Sequence, residues 1–451
     1  MELWPEIYRR FDPEEPGVIP AWRANRPGSP TASILADLGL EVYTPKVLLT
    51  GTIGTGKTTE LERIAEARAG QDFVILLDLY RHFHRVVGDV AALQKVTAWE
   101  VCFLAGLALV RAARERLGYE AREEMTQGLE EAWRKLAIAA KVDAPAELDF
   151  AKLGKAMLVF ASNLAAPAVG TLAGATLTAL STATESVKTG WTLPFGRSRA
   201  EVPDQSEESK SLLAFVNQLL SEVQLRHRRV LFVIDGLDRV TDIDRAKDLF
   251  VNSGLLAAME CSMVVCGSFA LRHHPALANV RGFSAKVLVN EPVLDQHAPM
   301  LVGGGVKFLA ELFERRVADL GVPHEEIIPP ELLRQFAYYS GGRSRDFVRM
   351  VRMLVLHVLR AKETVVRAEH IEGVIDESRR LMENGMHTGH IEVLESIAAD
   401  PEHRLQNNPL VWELLSLERL LPYPDGSEWY FPHPLLTIRM VTKWRSGPKT
   451  S

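Results

Sequence analysis

Residues 46–59 read KVLLT-GTIGTGKTT: an apolar run, Lys46–Thr50, then a glycine-rich turn, then Lys57-Thr58-Thr59. The turn matches GxxxxGK[ST] with a strand before it and a helical pattern after it. Gly51, Gly54 and Gly56 allow successive backbone N–H groups to turn inward around an anion. The helix expected from Lys57 to about Ala69 would aim the positive end of its dipole at the same place. Thr52, Thr55 and Thr59 complete the loop. Lys57 is expected to reach the β- and γ-phosphates of a nucleotide, and Thr58 to place its hydroxyl on Mg²⁺.

Outward from this loop, apolar runs at Phe73–Leu79, Arg229–Asp235, Met263–Cys266 and Ala285–Asn290 alternate with helical patterns. That alternation predicts an α/β protein with a parallel sheet covered on both faces. The run VLFVID (Val230–Asp235), followed by Gly236, Leu237, Asp238 and Arg239, is a buried strand delivering a carboxylate to the edge where open α/β sheets bind ligands. Asp235 is expected to hold Mg²⁺, and Asp238 to orient or deprotonate an attacking water.

The long separation of Lys57 from Asp235 requires an insert. Residues 90–210 supply it, with helical patterns over Trp99–Leu117 and Glu120–Val142 and a solvated linker over 194–210. Within it, residues 156–184 form an uncharged run. It is long enough for a membrane span, with Gly170 and Gly174 in a GxxxG pattern, yet rich in Ala, Thr and Ser and holding Asn163 and Pro167. Burial by protein is the favoured reading of this run and membrane contact the other.

The expected division is an irregular lead-in over 1–45 with one helix near Thr31–Leu40, a core over 46–295, a helical lid over 296–380, and a C-terminal end over 381–451. That end reads helix, helix, hairpin, with Pro424-Asp425-Gly426 as the turn. This order resembles a winged helix.

Composition agrees with a soluble globular chain. It has 451 residues, 47% hydrophobic and 24% charged, with 52 Lys and Arg against 58 Asp and Glu. A net charge of −6 gives no global basic field for non-specific DNA binding. Cys102, Cys261 and Cys266 form neither a disulfide framework nor a zinc motif, and His273-His274 lacks partners at ligand spacing. The first ten residues are charged and hold Pro5, unlike a signal peptide, so a cytoplasmic location is expected.

Together, the loop, the strand ending Asp235-Gly236-Leu237-Asp238-Arg239 and the extra strand between them resemble P-loop ATPases of the additional-strand branch, which includes AAA+, STAND and KAP proteins. The resemblance implies a P-loop ATPase core with helical insert, helical lid and winged-helix-like end. It implies ATP and Mg²⁺ as cofactors and action through self-assembly or a protein partner, in bacterial defence or signalling. The alternatives are a nucleic-acid-associated initiator or loader ATPase and a membrane-associated assembly ATPase. AAA+ proteins usually carry Glu where this chain has Gly236, which implies slow hydrolysis and suggests that Gly236→Glu would raise turnover if the geometry tolerates it. The resemblance further assigns Ser268, after the fourth strand, as a polar sensor of the γ-phosphate. Arg345, or next Arg343, would be the lid arginine in Gly341-Gly342-Arg343-Ser344-Arg345, and Arg272 a finger reaching a neighbouring subunit. Arg26-Pro27 could help cover adenine, with a plain surface turn as the favoured reading.

Overall fold

The computed structural model describes residues 3–13, 19–40, 43–140, 159–160, 203–272, 274–280, 282–299, 301–424 and 428–437. In chain order, the first elements are α1 (Leu3–Arg10), α2 (Thr31–Gly39), β1 (Lys46–Thr50), α3 (Lys57–Arg68), β2 (Phe73–Asp78) and the short α4 (Leu79–His82). Then come α5 (Ala98–Leu117), α6 (Glu123–Ala139), β3 (Val159–Phe160), α7 (Glu207–Arg226), β4 (Val230–Asp235), α8 (Ile243–Lys247), β5 (Ser262–Gly267), α9 (Phe269–Arg272) and β6 (Ser284–Val287). The remainder is α10 (Val306–Val317), α11 (His324–Ile327), α12 (Pro330–Tyr339), α13 (Ser344–Ala361), α14 (Ala368–Glu383), α15 (Thr388–Ala399), α16 (Pro409–Ser416), β7 (Leu420–Tyr423), β8 (Trp429–Pro432) and α17 (Pro434–Thr437).

The chain divides into two compact units: Pro30–Gly51 with Glu60–Val287, and Met1–Ser29 with Thr52–Thr59 and Leu288–Ser451. The first holds a six-stranded sheet in the order β3-β2-β4-β5-β1-β6. Five of these strands run parallel, and only β3 pairs antiparallel, on the outer edge of β2. β1, β4 and β5 are buried at every position, as their continuous Val, Leu and Ile content requires of strands covered on both faces. β5 stands between β1 and β4, pairing Leu48 with Val265 and Val233 with Val264.

The described part of the insert packs on this sheet. α5 begins at a capping box, in which Glu100 accepts from the Thr97 N–H at 2.8 Å, and ends at Gly118 in the left-handed region. Helices α5, α6 and α7 pack together through small residues: a Cβ at Gly106 would stand 3.0 Å from Val216, and one at Gly128 would overlap the Phe215 ring at 2.3 Å. The run 156–184 contributes the strand Val159–Phe160, and the rest of it lies outside the described residues. Among the described residues no helix is long and apolar enough to cross a membrane.

Among its described residues, the second unit's named elements are helices apart from the hairpin β7–β8. The lead-in, read as irregular before Thr31, carries a helix there, α1, with Pro5 inside it. In the first turn proline is tolerated, and α1 buries Trp4 and Ile7 against α13. Arg10 pairs with Glu6 at 2.8 Å and with Asp319, and donates to the Arg316 carbonyl at 2.9 Å. Phe313, Phe336, Phe347 and Leu354 form the centre of this core. Trp429 and Phe431 of β8 are inside it, the Trp429 ring 4.9 Å from that of Tyr423. The aromatic stretch after the turn is thus packed inward; the turn tip, 425–427, lies outside the described residues.

The fifth parallel strand is shorter than its apolar pattern suggests, ending at Val287 rather than Asn290. Asn290 and Glu291 leave the ladder and are buried by side-chain bonds instead.

Candidate nucleotide site

The candidate residues fall in two sets, described in turn: one at the sheet edge of the first unit and one in the loop of the second. At the C-terminal edge of the sheet, β1 runs out into Gly51, β2 ends at Asp78, β4 at Asp235, and β5 at Gly267 before Ser268. Asp78 and Asp235 are register partners across β2 and β4. Asp235 is buried and accepts from the Gly236 N–H at 2.8 Å. Asp238 lies half-buried in the turn Leu237–Arg239. Ser268 is buried, and Arg272 is half-buried at the end of α9.

Asp78 is a residue the sequence reading passed over. It caps α4, accepting from the Arg81 N–H at 2.9 Å, with the Arg81 guanidinium at 3.4 Å. Burial, then the neighbouring charge of Asp235, push its carboxyl up to about 6; Arg81 opposes this and Asp238 adds to it. The signal in the sequence was an Asp near the end of the apolar run Phe73–Leu79, which the structure ends at Asp78. Without the register, nothing distinguished it from an ordinary helix cap.

Gly236 has φ +97, and a Cβ there would stand 2.6 Å from the Tyr80 backbone nitrogen. The chain just after Asp78 therefore fills the space that a side chain at 236 would need. This bears on the condition attached to Gly236→Glu, that the geometry tolerate it: the position cannot carry a side chain without moving backbone.

In the loop, Gly54 and Gly56 adopt φ +89 and +101, which only glycine accepts readily. The Lys57 ammonium donates to the Thr52 carbonyl at 2.8 Å, and the Thr55 hydroxyl donates to the same oxygen at 2.9 Å. Thr58 and Thr59 follow in the first turn of α3, half-buried.

Three consecutive loop carbonyls are held from elsewhere in the same unit. Arg343 donates to Ile53 O at 2.6 Å, the Arg345 N–H to Gly54 O at 3.2 Å, and Arg26 to Thr55 O. Arg26 is buried and pairs with Glu291 at 2.6 Å, so its guanidinium is committed to the loop backbone and to Glu291. Arg343 is fully buried and paired with Asp346 and Glu418. Burial works against its charge, but the two carboxylates outweigh that and hold its pKa above the ordinary value. Gly54 also matters for this approach, since a Cβ there would meet Arg343 and Arg345 at 3.0 Å. Among the described residues, no group of three or more His, Cys, Asp and Glu is arranged to hold a metal by itself.

No family model matches the chain, and no curated protein does. Solved structures do. The Aeropyrum pernix ORC2 protein in its ADP form is 12% identical, with TM-score 0.43, over 95% of this chain and 94% of that one. The A. pernix ORC1 protein in complex with DNA is 12% identical, with TM-score 0.38, over 92% of each chain. The Thermotoga maritima RuvB Holliday junction branch migration motor is 13% identical, with TM-score 0.24, over 49% of this chain and 80% of that one.

The fold is argued from the sheet itself. The loop follows β1, the paired aspartates close β2 and β4, and β5 is the additional strand between β1 and β4. With that strand order, this chain has the architecture of an additional-strand P-loop ATPase.

Proposed function

We propose that the protein is a Mg·ATP-dependent switch, in which nucleotide on the loop 51–59 sets the position of the segments bonded to that loop. The observation that carries the proposal is the set of three consecutive loop carbonyls, Ile53, Gly54 and Thr55, held by Arg343, Arg345 and Arg26. A loop that must admit phosphates cannot rearrange without these partners responding.

The residues fit the ligand. Positive-φ glycines free the loop N–H groups for an anion, and Lys57 is held at the loop, where it can exchange a carbonyl for a phosphate oxygen. Thr58 and Asp235 offer the hard oxygen donors that Mg²⁺ prefers. Bound Mg²⁺ would supply charge neutralisation on the phosphates, with Asp238 and Asp78 as carboxylates available to a water. Ser268 would sense the γ-phosphate. Arg345 would contribute through its side chain as well as its backbone, and Arg272 would serve a neighbouring copy.

Of the finer readings, the matched ORC and RuvB chains stand with the nucleic-acid-associated alternative rather than with defence or signalling. At those scores the likeness bears on fold only. The charge of the C-terminal end enters separately: from His387 to Pro432 its cations are Arg404 and Arg419, against eight Asp and Glu. The helix pair and hairpin within those bounds are therefore assigned to protein or self-association; the basic part of this end is its last stretch, with Arg439, Lys443, Arg445 and Lys449.

A fluorescent ATP analogue with MgCl₂ tests the central claim. Lys57→Ala should lose most of the affinity with the fold intact, and Asp238→Asn should bind but turn over more slowly. Equal binding by wild type and Lys57→Ala would sink the reading.

A further inference from the structure

Beyond the loop itself, two buried polar threads lead from it to the C-terminal hairpin. In the first, the Thr52 hydroxyl donates to Asn290 Oδ1 at 3.3 Å, and Asn290 Nδ2 donates to the Pro422 carbonyl in β7 at 3.1 Å. Asn290 is 1% exposed. Its amide orientation is fixed by chemistry: the Pro422 carbonyl can only accept, so the NH₂ faces it and the oxygen faces Thr52. Thr52 is also the residue whose carbonyl holds Lys57. In the second thread, Arg343 joins the Ile53 carbonyl to Glu418, two residues before β7. The lid backbone is tied to the same strand, since the Tyr423 hydroxyl donates to Gly341 O at 3.0 Å.

We propose that Asn290 and Arg343 are positioning residues of the phosphate loop, anchored on the C-terminal hairpin, so that the hairpin sets nucleotide affinity and nucleotide sets the hairpin. The inference rests on the ATP-binding reading above and deepens it by naming the output element. Nothing in the nucleotide-binding motif requires such an anchor; it comes from Asn290 leaving the sheet and bridging two segments 132 residues apart in one direction and 238 in the other. By linkage, a protein that engages the hairpin more tightly in one nucleotide state must change nucleotide affinity by the same factor. The Thr52–Asn290–Pro422 thread is buried and made of partnered polar groups, so a break at either end leaves an unsatisfied group rather than a solvated one; in the second thread Arg343 is buried and bonds through its terminal nitrogens, while Glu418 is half-buried.

The test is hydrogen exchange of the full chain, with and without a non-hydrolysable ATP analogue and MgCl₂, together with the analogue's Kd. In wild type, exchange should slow both in peptides covering 52–59 and in peptides covering 420–432. In Asn290→Ala the loop response should persist at saturating nucleotide, the hairpin response should shrink, and Kd should rise about fivefold to tenfold, the size of one buried hydrogen bond. Glu418→Gln, which keeps shape and removes one charge from Arg343, should shrink the hairpin response in the same direction.

A wild-type hairpin that is indifferent to nucleotide while the loop is protected would overturn the proposal, and that arm needs no variant to fold. If neither segment responds and no analogue binds, the ATP-binding reading itself fails and takes this inference with it.

Discussion

The Arg343 guanidinium donates to the Ile53 carbonyl at 2.6 Å, joining the start of α13 to the phosphate loop. Its charge is balanced by Asp346 and Glu418, both mostly buried. Arg343→Met would strand two carboxylates and one carbonyl together. The expected loss is roughly 2–4 kcal/mol, the range for removing one partner of a buried pair, reduced slightly for the residual exposure of the acids. Chemical denaturation checks it; an unchanged midpoint would mean that the pairing contributes nothing. Arg343→Lys should fall between the two, because an ammonium keeps the charge but cannot span three acceptors as the planar fork does.

Gly236 gives a second prediction. Its φ of +97 and the 2.6 Å approach of the Tyr80 nitrogen mean that even Gly236→Ala must move the β2–α4 junction. The expected cost is at least about 1–2 kcal/mol, with Asp78 and Asp235 displaced relative to each other. Turnover should fall in Gly236→Ala and fall further in Gly236→Glu. A Gly236→Glu enzyme faster than wild type would show that the junction yields.

Asp78 supplies a pH dependence. Its carboxyl titrates near 6 in the folded protein against an ordinary value of 3.8. Between those values the folded state binds more protons than the unfolded one, so this group's contribution is fully present below pH 3.8 and is lost as pH rises through 6. Asp78→Asn keeps the helix cap and removes the charge. Without metal or nucleotide, it should therefore stabilise the protein on the order of 3 kcal/mol at pH 7.5, with the gain vanishing toward pH 4. The same substitution should slow ATP turnover, the trade expected where a carboxylate is kept charged against its surroundings for function. Equal stability gains at pH 4 and 7.5 would remove the titration from the explanation.

Much of this was legible in the chain because the deciding features are local. The GxxxxGK[ST] loop, the apolar strands and the Asp235 terminus each declare themselves within about ten residues, and strand alternation orders the sheet. What was not legible depends on contacts between distant segments. Asp78 was one position in the apolar run Phe73–Leu79 until the register set it beside Asp235. Asn290 looked like the end of a strand, and Arg26 like part of a surface turn, although both are buried on the phosphate loop or its supports. The first ten residues, expected to be irregular, form α1, and its Pro5 is tolerated because it falls in the first turn.

The C-terminal end offers the last prediction. Helices α15 and α16 followed by the hairpin β7–β8 have the order of a DNA-reading helix pair with a wing, and α16 would be the reading helix. Its sequence, PLVWELLS, carries no cation and one acid, Glu413, while Trp412 is 47% exposed. The hairpin strands, LLPY and WYFP, carry no charge at all. A phosphate-contacting surface needs Lys or Arg, and each neutralised phosphate adds about −0.9 to the slope of log K against log salt. An exposed tryptophan on an acidic helix instead suits a protein surface. Trp412→Glu should therefore leave the affinity of the full chain for duplex DNA, and its salt slope, unchanged. It should abolish self-association or partner capture that light scattering detects in the wild type with ATP. If Trp412→Glu instead weakens DNA binding with no effect on association, α16 reads nucleic acid through stacking and shape, and the nucleic-acid-associated alternative extends to this end of the chain.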